Sequence, residues 1–158
     1  MTGLERHNVK VSGQGQRAMM FAHGFGCDQN MWRFVAPAFE DRFRVVLFDH
    51  VGAGGSDLRA YDPEKYSTLQ GYADDVVALA RELGIRDGVF VGHSVSAMVG
   101  VLAAKQAPEL FSDLVLVGPS PATSTTKVTW AASARRRSMS CWSSSTPTTW
   151  AGRRRWPR

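Results

Sequence analysis

The sequence predicts an α/β domain built on a parallel sheet, and three observations predict it. Short, continuous apolar runs recur along the first 121 residues, helix-spaced segments lie between them, and Gly, Asp or Ser follows each run. Unbroken apolar character suits strands buried on both faces, which parallel strands joined by right-handed crossovers are.

The first strand is expected at Ala18-Met19-Met20-Phe21 and the next at Arg44-Val45-Val46-Leu47-Phe48. Between them a short helix should start after Asn30 and meet Pro37. Leu69, Tyr72, Val76, Ala80 and Leu83 recur at spacings of three and four, which predicts a helix. Ser67-x-x-Gln70 reads as its capping box and Gly84 as its stop. Gly88-Val89-Phe90-Val91 is the third strand, followed by a helix after Ser94 that should bury Val95, Met98, Val99 and Leu102 until Pro108 ends it. Leu114-Val115-Leu116-Val117 is the last strand of the pattern.

The bulk numbers fit this reading. With 44% hydrophobic and 21% charged residues among 158, the composition excludes a wholly disordered chain or a fibre. The longest mostly apolar stretch, 90–104, is broken by Gly92, His93, Ser94 and Ser96, and is too short to span a bilayer. The first six residues carry no apolar signal core, so a cytoplasmic location and no membrane partner are expected. Cys27 and Cys141 make neither a disulfide framework nor a metal spacing. No metal and no cofactor are expected.

Charge divides the chain. Residues 122–158 hold eight of the 19 Lys+Arg and none of the 14 Asp+Glu, a net of +8, against −3 for residues 1–121. The segment 122–158 also has seven Ser, seven Thr and four Trp, but no Leu, Ile, Phe or Tyr. It has too few aliphatics to build a core. The expected organisation is a folded unit over 1–121 and a basic, disordered tail over 122–158. Taken literally, the tail would bind nucleic acid through phosphates and stacking.

Three segments carry chemistry. Gly92-His93-Ser94-Val95-Ser96 leaves a strand and opens a helix, the placement of a nucleophile elbow that lifts a serine hydroxyl above the sheet. Ser96 stands where that pattern has glycine, so a side chain is expected to crowd the turn. His23-Gly24-Phe25-Gly26 follows the first strand, where a loop amide pairs with the amide after the nucleophile to cradle an oxyanion. The donors are assigned to Phe25 and Val95, with Ser94 as the catalytic nucleophile and Gly92, His93 and Ser96 as elbow structure. Asp49-His50-Val51-Gly52-Ala53-Gly54-Gly55-Ser56 lacks both the dinucleotide and the Walker patterns, and reads as a tight loop with positive-φ glycines. His23, Asp49 and His50 are expected to be structural.

These segments, with Phe21–Gln29, Val35–Glu40, Gly54–Asp62, Val89–Val95 and Pro108–Pro121, make the chain resemble the RsbQ-like α/β-hydrolase family. That family comprises a bacterial sigma-factor regulator and relatives among the plant karrikin and strigolactone receptors. The resemblance implies an α/β-hydrolase fold truncated after the strand at 114–117, and a Ser–His–Asp triad. It also implies a small hydrophobic pocket under a helical lid, and hydrolase chemistry used in signalling. It carries over Ser94 and the Phe25 and Val95 amides.

The triad cannot be completed. No histidine follows Ser94, and the one later aspartate, Asp113, precedes the last strand rather than following a later one. A frameshift accounts for this. The resembled family usually continues with an Asn-Tyr-Leu-Gly-Trp-like stretch, which in GC-rich codons read one base late gives Thr-Thr-Trp-Ala-Gly, the text of 148–152. Leu-Leu-Glu likewise gives Cys-Trp followed by Ser or Arg, which Cys141-Trp142-Ser143 fits. The leading expectation is a serine hydrolase acting on a small hydrophobic ester or lactone, inactive in this truncated form. The alternative is a ligand-holding regulator that binds a signalling phosphatase. Nucleic-acid binding through the tail is the third and least favoured.

Overall fold

The structure is a computed structural model and describes residues 2–119. Its elements are α1 (Gly3–Arg6), β1 (Lys10–Ser12), β2 (Arg17–Ala22), β3 (Phe43–Leu47), α2 (Leu69–Glu82), β4 (Gly88–His93), α3 (Val95–Gln106) and β5 (Phe111–Val117). The five strands form one sheet in the order β1-β3-β2-β4-β5. β2 pairs in parallel with β3 and β4, and β4 in parallel with β5.

Alternate residues of each central strand feed opposite faces. Ala18, Met20, Ala22, Val46 and Phe90 point to the side where α2 and α3 supply Val76, Leu79, Ala80, Val99 and Ala103. Met19, Phe21, Val45, Val89 and Val91 point to the other side and pack against Trp32 and Ala36. Both faces are covered, so the strands read as continuous apolar runs.

Five local expectations differ from the structure. The sheet is mixed, because β1 lies antiparallel on the edge of β3 with Val11 opposite Val46. Its three residues are all exposed, so no apolar run marks it. The helix expected after Asn30 is instead two 3-10 turns, Gln29–Trp32 and Ala36–Phe39. Pro37 has no N–H to continue an α-helical ladder through this stretch. The capping box at Ser67 is absent: Thr68 is the N-cap of α2, and the Ser67 hydroxyl donates to the Glu64 carbonyl at 2.7 Å within a preceding 3-10 turn. Gly84 does stop α2, with φ +63.

The fourth concerns α3, where Val99 is buried but Val95, Met98 and Leu102 are only partly so. Its fully buried face is made of small residues, Ser96, Ala97, Gly100 and Ala103, which let the helix lie close to the sheet. Asp113 lies inside β5, beside Val89 of β4, rather than before the strand. The expected tail, 122–158, lies outside the described residues.

Candidate active site

β4 ends at His93 and α3 begins at Val95, so Ser94 alone makes the turn between them. Its backbone is at φ 55, ψ −117, a conformation that costs a non-glycine residue on the order of 1–3 kcal/mol. Two contacts hold it there. The Ser94 N–H donates to the Val117 carbonyl of β5 at 2.9 Å, and the Ala97 N–H returns to the Ser94 carbonyl at 3.1 Å. The turn also demands glycine at 92, because a Cβ there would collide with the carbonyl of Ser96. The tight space in this turn is therefore at Gly92 against the Ser96 backbone.

The Ser96 side chain does not crowd the turn, contrary to expectation. It is fully buried, accepts a hydrogen bond from His50 Nε2 at 2.7 Å, and donates its own proton to the His23 carbonyl. A hydroxyl has one proton. With that proton spent on His23, His50 must carry its proton on Nε2. Burial holds His50 neutral, pushing its pKa down to about 3, and the neighbouring His23 and His7 act in the same direction. His50 Nδ1 is buried without a partner among the described residues.

His23 is locked in the opposite tautomer. Its Nε2 accepts from the His50 backbone N–H at 3.1 Å, so Nδ1 carries the proton and donates to the Gly24 carbonyl at 2.9 Å. Neither imidazole approaches Ser94 through any of these bonds. The structural reading of His23 and His50 is consistent with their bonding.

Asp49 organises the adjacent loops. Its carboxylate accepts from Asn8 Nδ2 at 2.8 Å, the Gln29 N–H at 2.8 Å, Gln29 Nε2 at 3.0 Å and the Gly55 N–H at 2.9 Å. Burial opposes its charge, yet the bonds from Asn8, Gln29 and Gly55 hold its pKa below the usual carboxylate value. It thereby joins the N-terminal segment, the turn after Phe25 and the 52–55 loop, where Gly52 and Gly54 take φ +92 and +53 as expected.

The Gly24–Phe25 loop packs against the Ser94 turn. A Cβ on Gly24 would sit 2.5 Å from His93 Nδ1 and 3.3 Å from Ser94 Cβ, so only glycine allows the approach. The Phe25 and Val95 amides donate to no acceptor among the described residues. The Phe25 ring is almost wholly exposed.

An open cavity of about 860 Å³ lies at this end of the sheet. Phe25, Cys27, His50, Tyr72, Val95 and Val99 are among its walls, and among the described residues no Asp, Glu, Lys or Arg lines it. Ser94 is half-buried and stands beside Val95 without lining the cavity itself. On one wall His50 lies edge-on to Tyr72 at 5.4 Å, and Tyr66, which does not line the cavity, packs against Tyr72 at 4.8 Å. Burial raises the Tyr72 pKa, so this wall is uncharged.

Asp113 belongs elsewhere. It pairs with Arg17, whose guanidinium also reaches the Asp87 carbonyl and Ser112, near the opposite ends of the strands. Among the described residues, no group of three or more His, Cys, Asp or Glu is placed to hold a metal, and no helix is long and apolar enough to cross a membrane.

The chain matches the alpha/beta hydrolase fold family over residues 17–137. A karrikin insensitive 2 receptor of Petunia hybrida is 48% identical over 117 residues, covering 74% of this chain and 43% of the receptor. The strigolactone esterase of Arabidopsis thaliana is 48% identical over 118 residues, covering 75% of this chain and 44% of the esterase. A solved hydrolase from Oleispira antarctica superposes with TM-score 0.73 at 41% identity, over 75% of this chain and 44% of that one. The chain thus spans less than half the length of the curated relatives it matches. With a strand–serine–helix turn, a glycine-rich loop packed against it and relatives of this similarity, the chain belongs to the alpha/beta hydrolase fold family.

Proposed function

We propose that this chain supplies the nucleophile half of a serine hydrolase acting on a small, uncharged ester or lactone. Ser94 Oγ would attack the acyl carbon, and the Phe25 and Val95 amides would receive the developing oxyanion. The observation that supports this best is the backbone of Ser94, held at φ 55 between β4 and α3 with two uncommitted amides nearby. Among the described residues the cavity walls carry no charged side chain, which suits an apolar, neutral molecule. The names of the relatives, a strigolactone esterase and a karrikin insensitive 2 receptor, support this reading.

The base and its acid are not available from the described residues. Of the four histidines, at 7, 23, 50 and 93, none follows Ser94 in the sequence. Without a base, turnover should fall by about a million-fold by analogy with serine proteases. The 158-residue chain is therefore proposed to be inactive alone. The same lack favours a second reading, in which the chain holds a ligand without turning it over and acts on a signalling phosphatase in an RsbQ-like stress response in the cytoplasm.

The test is a chimera joining residues 1–119 to the C-terminal portion of the Arabidopsis strigolactone esterase. Chromogenic-ester turnover is expected, falling to background in Ser94→Ala while ligand binding persists. Turnover unchanged by Ser94→Ala would remove Ser94 from the mechanism.

A further inference from the structure

The geometry points to Ser96 as a positioning residue that fixes the spacing of the Phe25 and Val95 amides, a role that rests on the oxyanion reading above. The two amides belong to segments far apart in sequence, the loop after β2 and the first turn of α3. One side-chain hydrogen bond joins those segments directly: the Ser96 hydroxyl donates to the His23 carbonyl. Ser96 follows Val95 by one residue and His23 precedes Phe25 by two. The path Val95–Ser96···His23–Gly24–Phe25 is thus a clasp closed by a single proton.

The clasp is directional. If Ser96 gave its proton to His50 instead, its oxygen would face the His23 carbonyl with lone pair against lone pair. Nε2–H of His50 prevents this by donating to Ser96 Oγ at 2.7 Å, which leaves the hydroxyl proton no acceptor but His23. His50 is in turn tied back to the loop, since its backbone N–H donates to His23 Nε2 at 3.1 Å. Three bonds therefore close a ring of Ser96, His23 and His50 next to the Gly24 loop, and each member is buried. Ser96 does not line the cavity; it acts through the amides of Phe25 and Val95, two residues that do.

Placement of oxyanion donors is sensitive to small displacements, so loosening the clasp should weaken capture of a tetrahedral anion more than it weakens filling of the cavity. Phenylboronic acid reads this directly in the 158-residue chain. The Ser94 hydroxyl adds to trigonal boron, an O–B bond forms, the hydroxyl proton goes to solvent, and the tetrahedral product carries the negative charge. Its boron-11 resonance reports the adduct. Benzyl alcohol, neutral and of similar size, reports cavity filling.

The expected result has four parts. The unsubstituted chain gives a tetrahedral signal that Ser94→Ala abolishes. Ser96→Ala weakens the adduct at least tenfold while benzyl alcohol affinity changes less than twofold. Ser96→Thr, which keeps the hydroxyl, restores most of the loss. Nitrogen-15 spectra of the imidazoles show His50 protonated at Nε2 and His23 at Nδ1. A Ser96→Ala adduct as strong as the original would overturn the clasp and leave the nucleophile reading standing. Absence of a Ser94-dependent signal in the unsubstituted chain would overturn both. Should Ser96→Ala fail to fold, the imidazole spectra decide: a His50 proton on Nδ1 breaks the ring and ends the proposal.

Discussion

At the carboxyl ends of β2, β3 and β4, the side chains of His23, Asp49, His50 and Ser96 are buried and hydrogen-bonded, while the Phe25 and Val95 amides stay uncommitted among the described residues. All four residues are at most 7% exposed. Near the amino ends, Arg17 meets Asp113 with both side chains more than 40% exposed. Each end ties neighbouring strands and loops together through side chains. The difference is solvent. In the exposed cluster water can replace any lost partner, so the bonds there contribute little. In the buried one nothing replaces a lost partner, so each bond fixes a geometry as well as an energy.

The contrast is broken most directly at Asp49. Asp49→Ala orphans four donors from Asn8, Gln29 and Gly55, and should cost about 3–5 kcal/mol in urea unfolding. A loss below about 1 kcal/mol would place the two ends on the same footing.

Acid sharpens it next. His50 is held at about 3 when folded, against 6.5 for the free side chain, and burial lowers His7 as well. Below about pH 6.5 the unfolded chain binds protons that the folded chain refuses, so stability is full above that pH and declines as pH falls towards 3. For His50 alone the slope is about 1.4 kcal/mol per pH unit. Thermal unfolding across this range should show Tm falling with pH, and a flat profile from pH 6 to 4 would contradict the buried neutral state.

The smallest effect is expected at the exposed end. Arg17→Ala should cost less than about 1 kcal/mol, with salt reducing the difference further. A larger loss would show that the Asp87, Ser112 and Asp113 contacts act together as a network.

The same divide explains what the sequence made legible. β2, β3 and β4 are visible because burial on both faces demands unbroken apolar runs, and α2 because one buried stripe demands a 3.6-residue period. β5 shows an apolar run as well, although it is an edge strand with Val115 and Val117 exposed. The turn at Ser94 and the loop at Phe25 are visible because a strand–turn–helix and a glycine-rich loop after a strand are local patterns. β1 escapes notice since three exposed residues leave no periodicity. The roles of Ser96 and Asp49 escape it for another reason. Their partners lie at 23 and 50, and at 8, 29 and 55, and no local pattern announces a bond across such separations. Ser96 therefore read as a misfit glycine until its hydroxyl was placed.

The strand order has a consequence for how the chain assembles. β2 is the central strand, yet its two neighbours follow it at 43–47 and 88–93. During synthesis from the N-terminus, β2 acquires its first parallel partner once residue 47 has been made. It keeps one open edge until β4 emerges. The intervening segment holds α2, whose apolar stripe has little to cover before β4 arrives. Assembly is thus dominated by pairings distant in sequence, the kind that slows folding and prolongs exposure of half-finished sheets. Arrest of translation between residues 47 and 93 would hold the chain at its most adhesive, with β2 presenting unpaired amides and carbonyls to any other strand.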